Sequence, residues 1–422
     1  MKRSLETTLL ALLGLAFAAC SSPAPGEADK DVAPVTPDVA QVGEDAGEDV
    51  VQAAPVELRV ASFNTSLFRP AAGKLIEDLE TGTDPHALAI ARILQRVRPD
   101  VVLLNEFDYD AEGVAASTFR EKFLAKSQAD GLAPLEYPHF YVVPSNTGVH
   151  SGFDLNNDGQ TVSTPGMQSY GDDAFGFGVF EGQYAFVIFS KYPIERAQAR
   201  SFQKLLWRDM PGNAMPEGWY SEQEQAVFRL SSKNHIDLPI NVDGRMLHIL
   251  AAHPTPPAFD GAEQRNVRRN NDEVRLWLDY ITPGQADYIR DDAGVEGGLA
   301  ADARFVIVGD LNTDPIDSGV MGAMAALLAS PKTNDTLPES EGAVEKSALD
   351  ARANLQHKSP AKHDTADFSD ATVGNLRVDF ALPSANVEAL GSGVFWPKSG
   401  EPGYNWTRAS DHHLVWVDLR IE

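Results

Sequence analysis

Six short runs of apolar, often β-branched residues recur between Glu57 and the C-terminus, and each is joined to a polar cluster. They are ELRVASFN ending at Asn64, DVVLLNEF with Asn105 and Glu106, MLHILAAH with His253, RFVIVGDLN with Asp310 and Asn312, NLRVDFALP with Asp379 inside it, and SDHHLVWVDL with the cluster first. Runs of this length are strands buried on at least one face. Asp, Asn and His are poor strand residues and costly to bury unpaired, so their repeated placement at strand mouths needs a reason. Strand ends are where rigid sites are built.

Helices lie between these runs. In TDPHALAIARILQRVRPD, Thr83 or Asp84 serves as N-cap and Pro85 sits in the first turn. Ile90, Ile93, Leu94 and Val97 then share one face, and Pro99 stops the helix. A second helix is predicted from about Glu263 to Tyr280, with Val267, Val274, Trp277, Leu278 and Ile281 at helical spacing. Helices alternating with antiparallel-type strands predict packed sheets with helices outside.

The start, MKRSLETTLLALLGLAFAAC, pairs a short basic segment with an apolar run too brief to span a bilayer. This predicts export. Cys20, the only cysteine, stands where the signal would be cut, and the segment resembles a bacterial lipobox, with Phe17 where such boxes usually carry Leu. The expected organisation is a lipoprotein signal peptide over 1–20, an acidic Pro/Ala-rich tether over 21–55, and one globular domain over 56–422. The expected location is the bacterial cell envelope, as an outer-membrane or cell-surface lipoprotein. The tether holds eight acidic residues and one Lys, and the whole chain has a formal charge of −26, so the globular part is itself strongly acidic. Nucleic-acid backbones are usually bound by basic surfaces that release counterions, so strong nucleic-acid binding is not expected. No protein partner is evident.

Taken in order, SFN, NE, SKYPI (Ser190 to Ile194), His253, GDLN, RVDF and SDHH resemble the endonuclease/exonuclease/phosphatase superfamily. Its members include DNase I-like nucleases, abasic-site endonucleases, neutral sphingomyelinases and inositol polyphosphate 5-phosphatases. The resemblance implies an α/β fold, a four-layer sandwich of two packed mixed or antiparallel sheets flanked by helices, and Mg²⁺-dependent phosphoester hydrolysis. It also implies roles. Asp310 orients the attacking water, Asn312 binds phosphate, and His412 contacts the scissile phosphate, with Asp379 as its partner. His253 is a phosphate contact or general acid, and Asp411 a metal ligand or orienting carboxylate. The partner of His253 is left between Glu181 and Gln183. Asp310 and Asn312, spaced i, i+2, would point to one face of an extended chain.

The chemistry agrees with that resemblance. A phosphoesterase must neutralise phosphoryl oxygens, position a water in line and help the leaving oxygen depart. Glu106 is a hard oxygen ligand of the kind Mg²⁺ or Mn²⁺ prefers, and the Asn64 amide can support it. Asp154, Asn156 and Asp158 in GFDLNNDGQTV form the first half of a calcium-loop pattern; a structural Ca²⁺ or a plain Asx-rich turn both fit. Arg265, Arg268 and Arg269 read as a solvated helix face paired with Glu263, Asp272 and Glu273, or as phosphate contacts. His357, His363, Asp364 and Asp367 read as a loop over the site. The leading expectation is a phosphodiesterase or phosphomonoesterase for small substrates. The alternatives are an extracellular nuclease for DNA or RNA, an enzyme for sphingolipid or phosphoinositide head groups, and a non-catalytic binding module of the same fold.

Overall fold

The computed structural model describes residues 54–318 and 321–422. The expected signal peptide, Cys20 and nearly all of the expected tether lie outside the described residues. In chain order the strands are β1 (Val56–Asn64), β2 (Val101–Asn105), β3 (His139–Val143), β4 (Phe186–Ser190), β5 (Arg200–Ser201), β6 (His235–Val242), β7 (Arg245–Ala252), β8 (Phe305–Asp310), β9 (Ala366–Asp367), β10 (Asn375–Leu376), β11 (Asp379–Pro383), β12 (Glu388–Val394) and β13 (Val415–Ile421). One sheet has the order β12-β13-β1-β2-β4-β3, a second the order β11-β8-β7-β6-β5, and β9 pairs with β10. Both large sheets are mixed, because β1 runs parallel to β2 and β7 parallel to β8 while their other pairings are antiparallel.

Alternation along the strands sorts the side chains into layers. Leu58, Val60, Leu103 and Ile188 of the first sheet meet Ile236, Leu238, Ile249 and Val308 of the second in a buried seam. The other face of the first sheet, with Ala61, Phe63, Val102 and Phe189, packs on Ile90, Ile93, Leu94 and Val97 and on Phe119 and Phe123. The other face of the second sheet, with Leu250, Ile307 and Phe380, packs on Val274, Trp277 and Ile281. The result is helix, sheet, sheet, helix, the expected four layers. Each fully buried Leu, Ile, Val or Phe in these seams contributes about 1.5–3 kcal/mol of transfer free energy.

The first expected helix is Pro85–Val97, and its N-cap is Asp84, whose carboxylate accepts the Ala87 N–H at 2.8 Å. The second spans Arg265–Ile281, starting two residues later than expected because Gln264 turns left-handed (φ +54°). Val274, Trp277 and Ile281 are buried as expected, whereas Val267 and Leu278 lie at the edge of the stripe and are half-buried.

Register sets the polar clusters together. Asn64 at the end of β1 pairs with Asn105 at the end of β2, and Asp310 at the end of β8 pairs with Asp379 at the start of β11. The SKYPI segment lies elsewhere: Ser190 pairs with Val101 at the other end of β2, and Ile194 bridges Ile240 of the second sheet. Its work is structural, with Lys191 paired to Asp100 at 2.8 Å.

Candidate active site

One carboxylate oxygen collects the site. Asp310 Oδ2 accepts a hydrogen bond from the Asn64 side-chain amide at 3.0 Å and faces His253 Nε2 at 3.4 Å and His412 Nε2 at 3.7 Å. The Asp310 N–H donates to Asn105 Oδ1 at 3.3 Å, so both sheets are tied at this point. Gly309 makes the approach possible. Its φ is +153°, and a Cβ there would lie 2.0 Å from the Ala252 carbonyl oxygen, immediately before His253.

His412 Nδ1 bonds Asp379 Oδ2 at 2.9 Å, the expected pairing. Thr365 completes it: its hydroxyl donates to Asp379 Oδ2 at 2.9 Å and accepts the N–H groups of Val378 and Asp379. Ser410 fixes the approach of this segment, since its hydroxyl donates to the Asn64 carbonyl at 2.8 Å and accepts the His412 N–H at 3.1 Å.

These groups lie out of solvent, so charge is decided by neighbours. For His412, burial opposes protonation, but the Asp379 and Asp310 carboxylates overcome it and raise the imidazole well above its ordinary value. For Asp310, burial pushes upward, but His412 and the His253 hydrogen bond win and hold the carboxyl below the usual range. Burial lifts Asp379 to about 6 against the pull of His412. His253 is pushed down to about 4 by burial and by the Lys233 charge, so it is neutral near pH 7. Burial raises Glu106 to about 7, with His412, Asn64 and Lys233 pulling the other way. At neutral pH the centre is an ionised Asp310 beside an imidazolium at His412.

Several expectations are corrected. Asn312 does not share an extended face with Asp310: it adopts φ +55°, its N–H bonds Asp310 Oδ1 at 2.9 Å, and its amide donates to the Pro254 carbonyl at 3.1 Å. An Asx turn after the strand, not strand alternation, aims it. Neither Glu181 nor Gln183 partners His253. Glu181 is exposed, Gln183 bonds Arg69 O and Val179 N–H, and Asp310 is the partner found. Asp411 stands outside the buried group, its side chain 55% exposed and 4.0 Å from His412 Nε2. Arg269 is no solvated face: it is buried, donating to the carbonyls of Leu230, Phe175 and Arg229. His413, by contrast, behaves as its place next to His412 on the chain leads one to expect: it faces away from the site and stacks on Trp396 at 3.7 Å between centroids.

In the Asp154 loop, Asp154 accepts the Asp158 and Gly159 N–H groups, four and five residues on, while Asn156 accepts the Asp158 N–H and Asp158 that of Gln160, each two residues on as in Asx turns. Of the loop expected over the site, Thr365 bonds Asp379, Phe368 packs edge-on against the His412 ring at 5.3 Å between centroids, and Ala366 bridges to His412. His357 and His363 bond the carbonyls of Val373 and Pro338. Thr365 and Lys233 carried no signal in the sequence, since each is a common residue in a loop without a motif.

The residues fit a hard divalent cation. Glu106, half-buried with φ +58°, presents a carboxyl that burial holds near 7, a state that a nearby cation would relieve. Such a left-handed non-glycine residue costs about 1–3 kcal/mol and persists where surroundings over-determine it. Asn64 Oδ1 accepts only the Ser66 N–H, at 3.1 Å. Asp379 Oδ1 is buried without a partner, and atoms of Asp310, Asp379 and His412 converge within 4.8 Å. His412 is tied through Nδ1 to Asp379 and turns Nε2 toward Asp310, and the hard oxygen donors gathered here suit an ion of the Mg²⁺ kind.

No curated protein sequence matches the chain significantly. An endonuclease/exonuclease/phosphatase protein from Beutenbergia cavernae is 19% identical over 86% of this chain and 72% of its own, with a TM-score of 0.48. Sphingomyelinase C from Streptomyces griseocarneus is 14% identical over 86% of this chain and 99% of its own, at a TM-score of 0.41. A beta toxin variant from Staphylococcus aureus with bound magnesium ions is 14% identical over 86% and 99%, at 0.43. The profile of the Endonuclease/Exonuclease/phosphatase family matches residues 61–412, which spans Phe63-Asn64 through His412, and the chain belongs to that family of phosphate-ester hydrolases.

Proposed function

We propose that this protein is a Mg²⁺- or Mn²⁺-dependent hydrolase of small phosphate esters, exported and held at the cell envelope by a lipid on Cys20. The observation that carries the catalytic part is the convergence of Asn64, His253 and His412 on Asp310 Oδ2. A binding module would have no use for an ionised carboxylate set against a buried imidazolium. Glu106 and Asn64 would hold the cation, with Asp411 at its rim. Once bound, it would supply Lewis-acid neutralisation of a phosphoryl oxygen.

The remaining work falls to side chains. Asp310, ionised and acceptor-only, orients the attacking water. His412, protonated and anchored through Nδ1 by Asp379, directs Nε2 toward the phosphoryl oxygens and stabilises the charge that grows there. Neutral His253 donates from Nε2, and the Asn312 amide holds a further phosphate oxygen. The acidic body favours short esters over a long polyanion, and this separates the reading from a nuclease.

The test is a panel of small phosphodiesters and phosphomonoesters, duplex DNA, RNA and sphingomyelin, assayed with chelator, Mg²⁺ and Mn²⁺. Turnover of small esters that chelator abolishes and the metal restores is expected. Full activity in excess chelator refutes the metal dependence, and preferred, salt-insensitive cleavage of duplex DNA makes the protein a nuclease. Mass spectrometry of the mature N-terminus checks the anchor: a free thiol on Cys20, or cleavage elsewhere, rejects it.

A further inference from the structure

Lys233 is a buried lysine that forms no ion pair among the described residues; burial lowers its ammonium below the ordinary lysine value, against the pull of Glu273, Glu106 and Asp310. It is 7% exposed, and its one hydrogen bond goes to the Pro254 carbonyl at a long 3.4 Å. That same carbonyl already accepts the Asn312 amide at 3.1 Å, so the ammonium and the amide expected to bind phosphate sit against one acceptor. The carboxylates whose fields reach it are Glu273, Glu106 and Asp310, yet none forms an ion pair with it among the described residues. The oxygens of Glu273 and Asp310 are engaged elsewhere. Glu273 accepts the Ser232 N–H at 2.6 Å and the Thr255 N–H at 2.7 Å, and Asp310 is committed to Asn64 and Asn312.

A buried ammonium has three donors and normally meets acceptors with all of them. Here two are unspent, on a cation next to Asn312 and within the field of Glu106 and Asp310. Glu273 builds the position. A fully buried residue of the helix Arg265–Ile281, it clamps the loop carrying Lys233 and the loop after His253 with its two oxygens.

We infer that Lys233 is a phosphate-binding residue, donating to a non-bridging oxygen of the substrate beside Asn312, and that Glu273 is the positioning residue that holds it there. This rests on the phosphoesterase reading and adds to it a second cationic contact, independent of His412. An ammonium cannot ligate a metal ion, so its unspent donors suit the anionic oxygens of the ester.

The probe is inorganic phosphate, with Mg²⁺ present. In ¹⁵N NMR of the lysine ammonium groups of the intact protein, the signal missing from Lys233→Arg identifies Lys233, and phosphate should shift it. Calorimetry should show phosphate binding weakened at least tenfold in Lys233→Met and partly restored in Lys233→Arg. On the preferred small ester, Lys233→Met should raise KM more than it lowers kcat, whereas Glu273→Gln should weaken phosphate binding less. An ammonium signal that phosphate leaves unmoved in the wild-type protein, or unchanged phosphate affinity in a folded Met variant, overturns the inference. The two readings fail separately. Phosphate bound through Lys233 without hydrolysis of any ester sinks the proposed reaction alone, and an active enzyme whose Met variant binds phosphate normally sinks the lysine alone.

Discussion

Among the described residues two groups of acidic side chains converge, and they differ in what neutralises them. Asp310 and Asp379 are buried with His412, while Asp350, Asp367 and Asp370 are half-buried about Lys346. Lys346 pairs with Asp350 at 2.7 Å and with Asp367 at 3.1 Å, a flexible point charge that answers the carboxylates directly. The buried group is answered by a rigid imidazole fixed through Nδ1, which leaves Nε2 toward Asp310. Three acids in contact are therefore not a site by themselves. Burial, and a counter-charge with one face left to offer, make the difference.

The largest effect expected from this contrast is on rate. Asp310→Asn and His412→Ala should each lower kcat by about 10²–10⁴, since each acts on the transition state, and each should also lower the melting temperature, because it leaves a buried charge without its partner. Their combination should be far from additive, as both serve one step. Steady-state kinetics beside melting curves check this, and activity losses that merely follow unfolding would put the two acidic groups on the same footing.

A second test asks whether carboxylate neighbours, and not burial, set the charge of His412. His235 is equally buried, between Ser231 Oγ at 2.7 Å and the Glu273 carbonyl at 2.9 Å, and burial pushes it down to about 4. The unfolded chain, titrating near the ordinary 6.5, binds the extra proton between those values. Stability from this residue is therefore complete above about pH 6.5 and lost as pH falls toward 4, by about 3 kcal/mol. Urea unfolding across that range should show the acid limb, and His235→Gln should flatten it. An unchanged limb in the variant would reject the assignment.

Smaller effects separate partner from actor. Asp379→Asn should follow His412→Ala in direction but cost only about 10–100-fold in kcat, because the imidazole loses its anchor and stays in place. His413→Ala should keep activity within about threefold, far less than any change at His412, because it stacks on Trp396 away from the site. The smallest change belongs to the second acidic group: Lys346→Met should leave kcat unchanged and shift stability by less than about 1 kcal/mol, as half-exposed ion pairs do. A large kcat loss there would give that group a catalytic role.

The sequence by itself determined the layers and the identity of most of the site. Continuous apolar runs such as RFVIVGDLN, buried at every strand position, and period 3.6 in PHALAIARILQRV need no tertiary information, and neither does the demand that strand-end Asp, Asn and His find partners. The Asp379–His412 pair was legible through the family resemblance, and register places Asp379 opposite Asp310. What only the tertiary structure decided were contacts between distant segments and turns that break periodicity. The left-handed Asn312 replaced the extended geometry expected of it, Thr365 reached Asp379 from a loop with no motif, and Asp310 took the place of Glu181 or Gln183 as partner of His253. Lys233 is the clearest case. A lysine in SSKNH reads as surface, and only the packing of the helix Arg265–Ile281 against the His253 loop encloses its charge beside Asn312. Local pattern fixes which face a residue takes, but the charge it will meet is set by chain that folds back from far away.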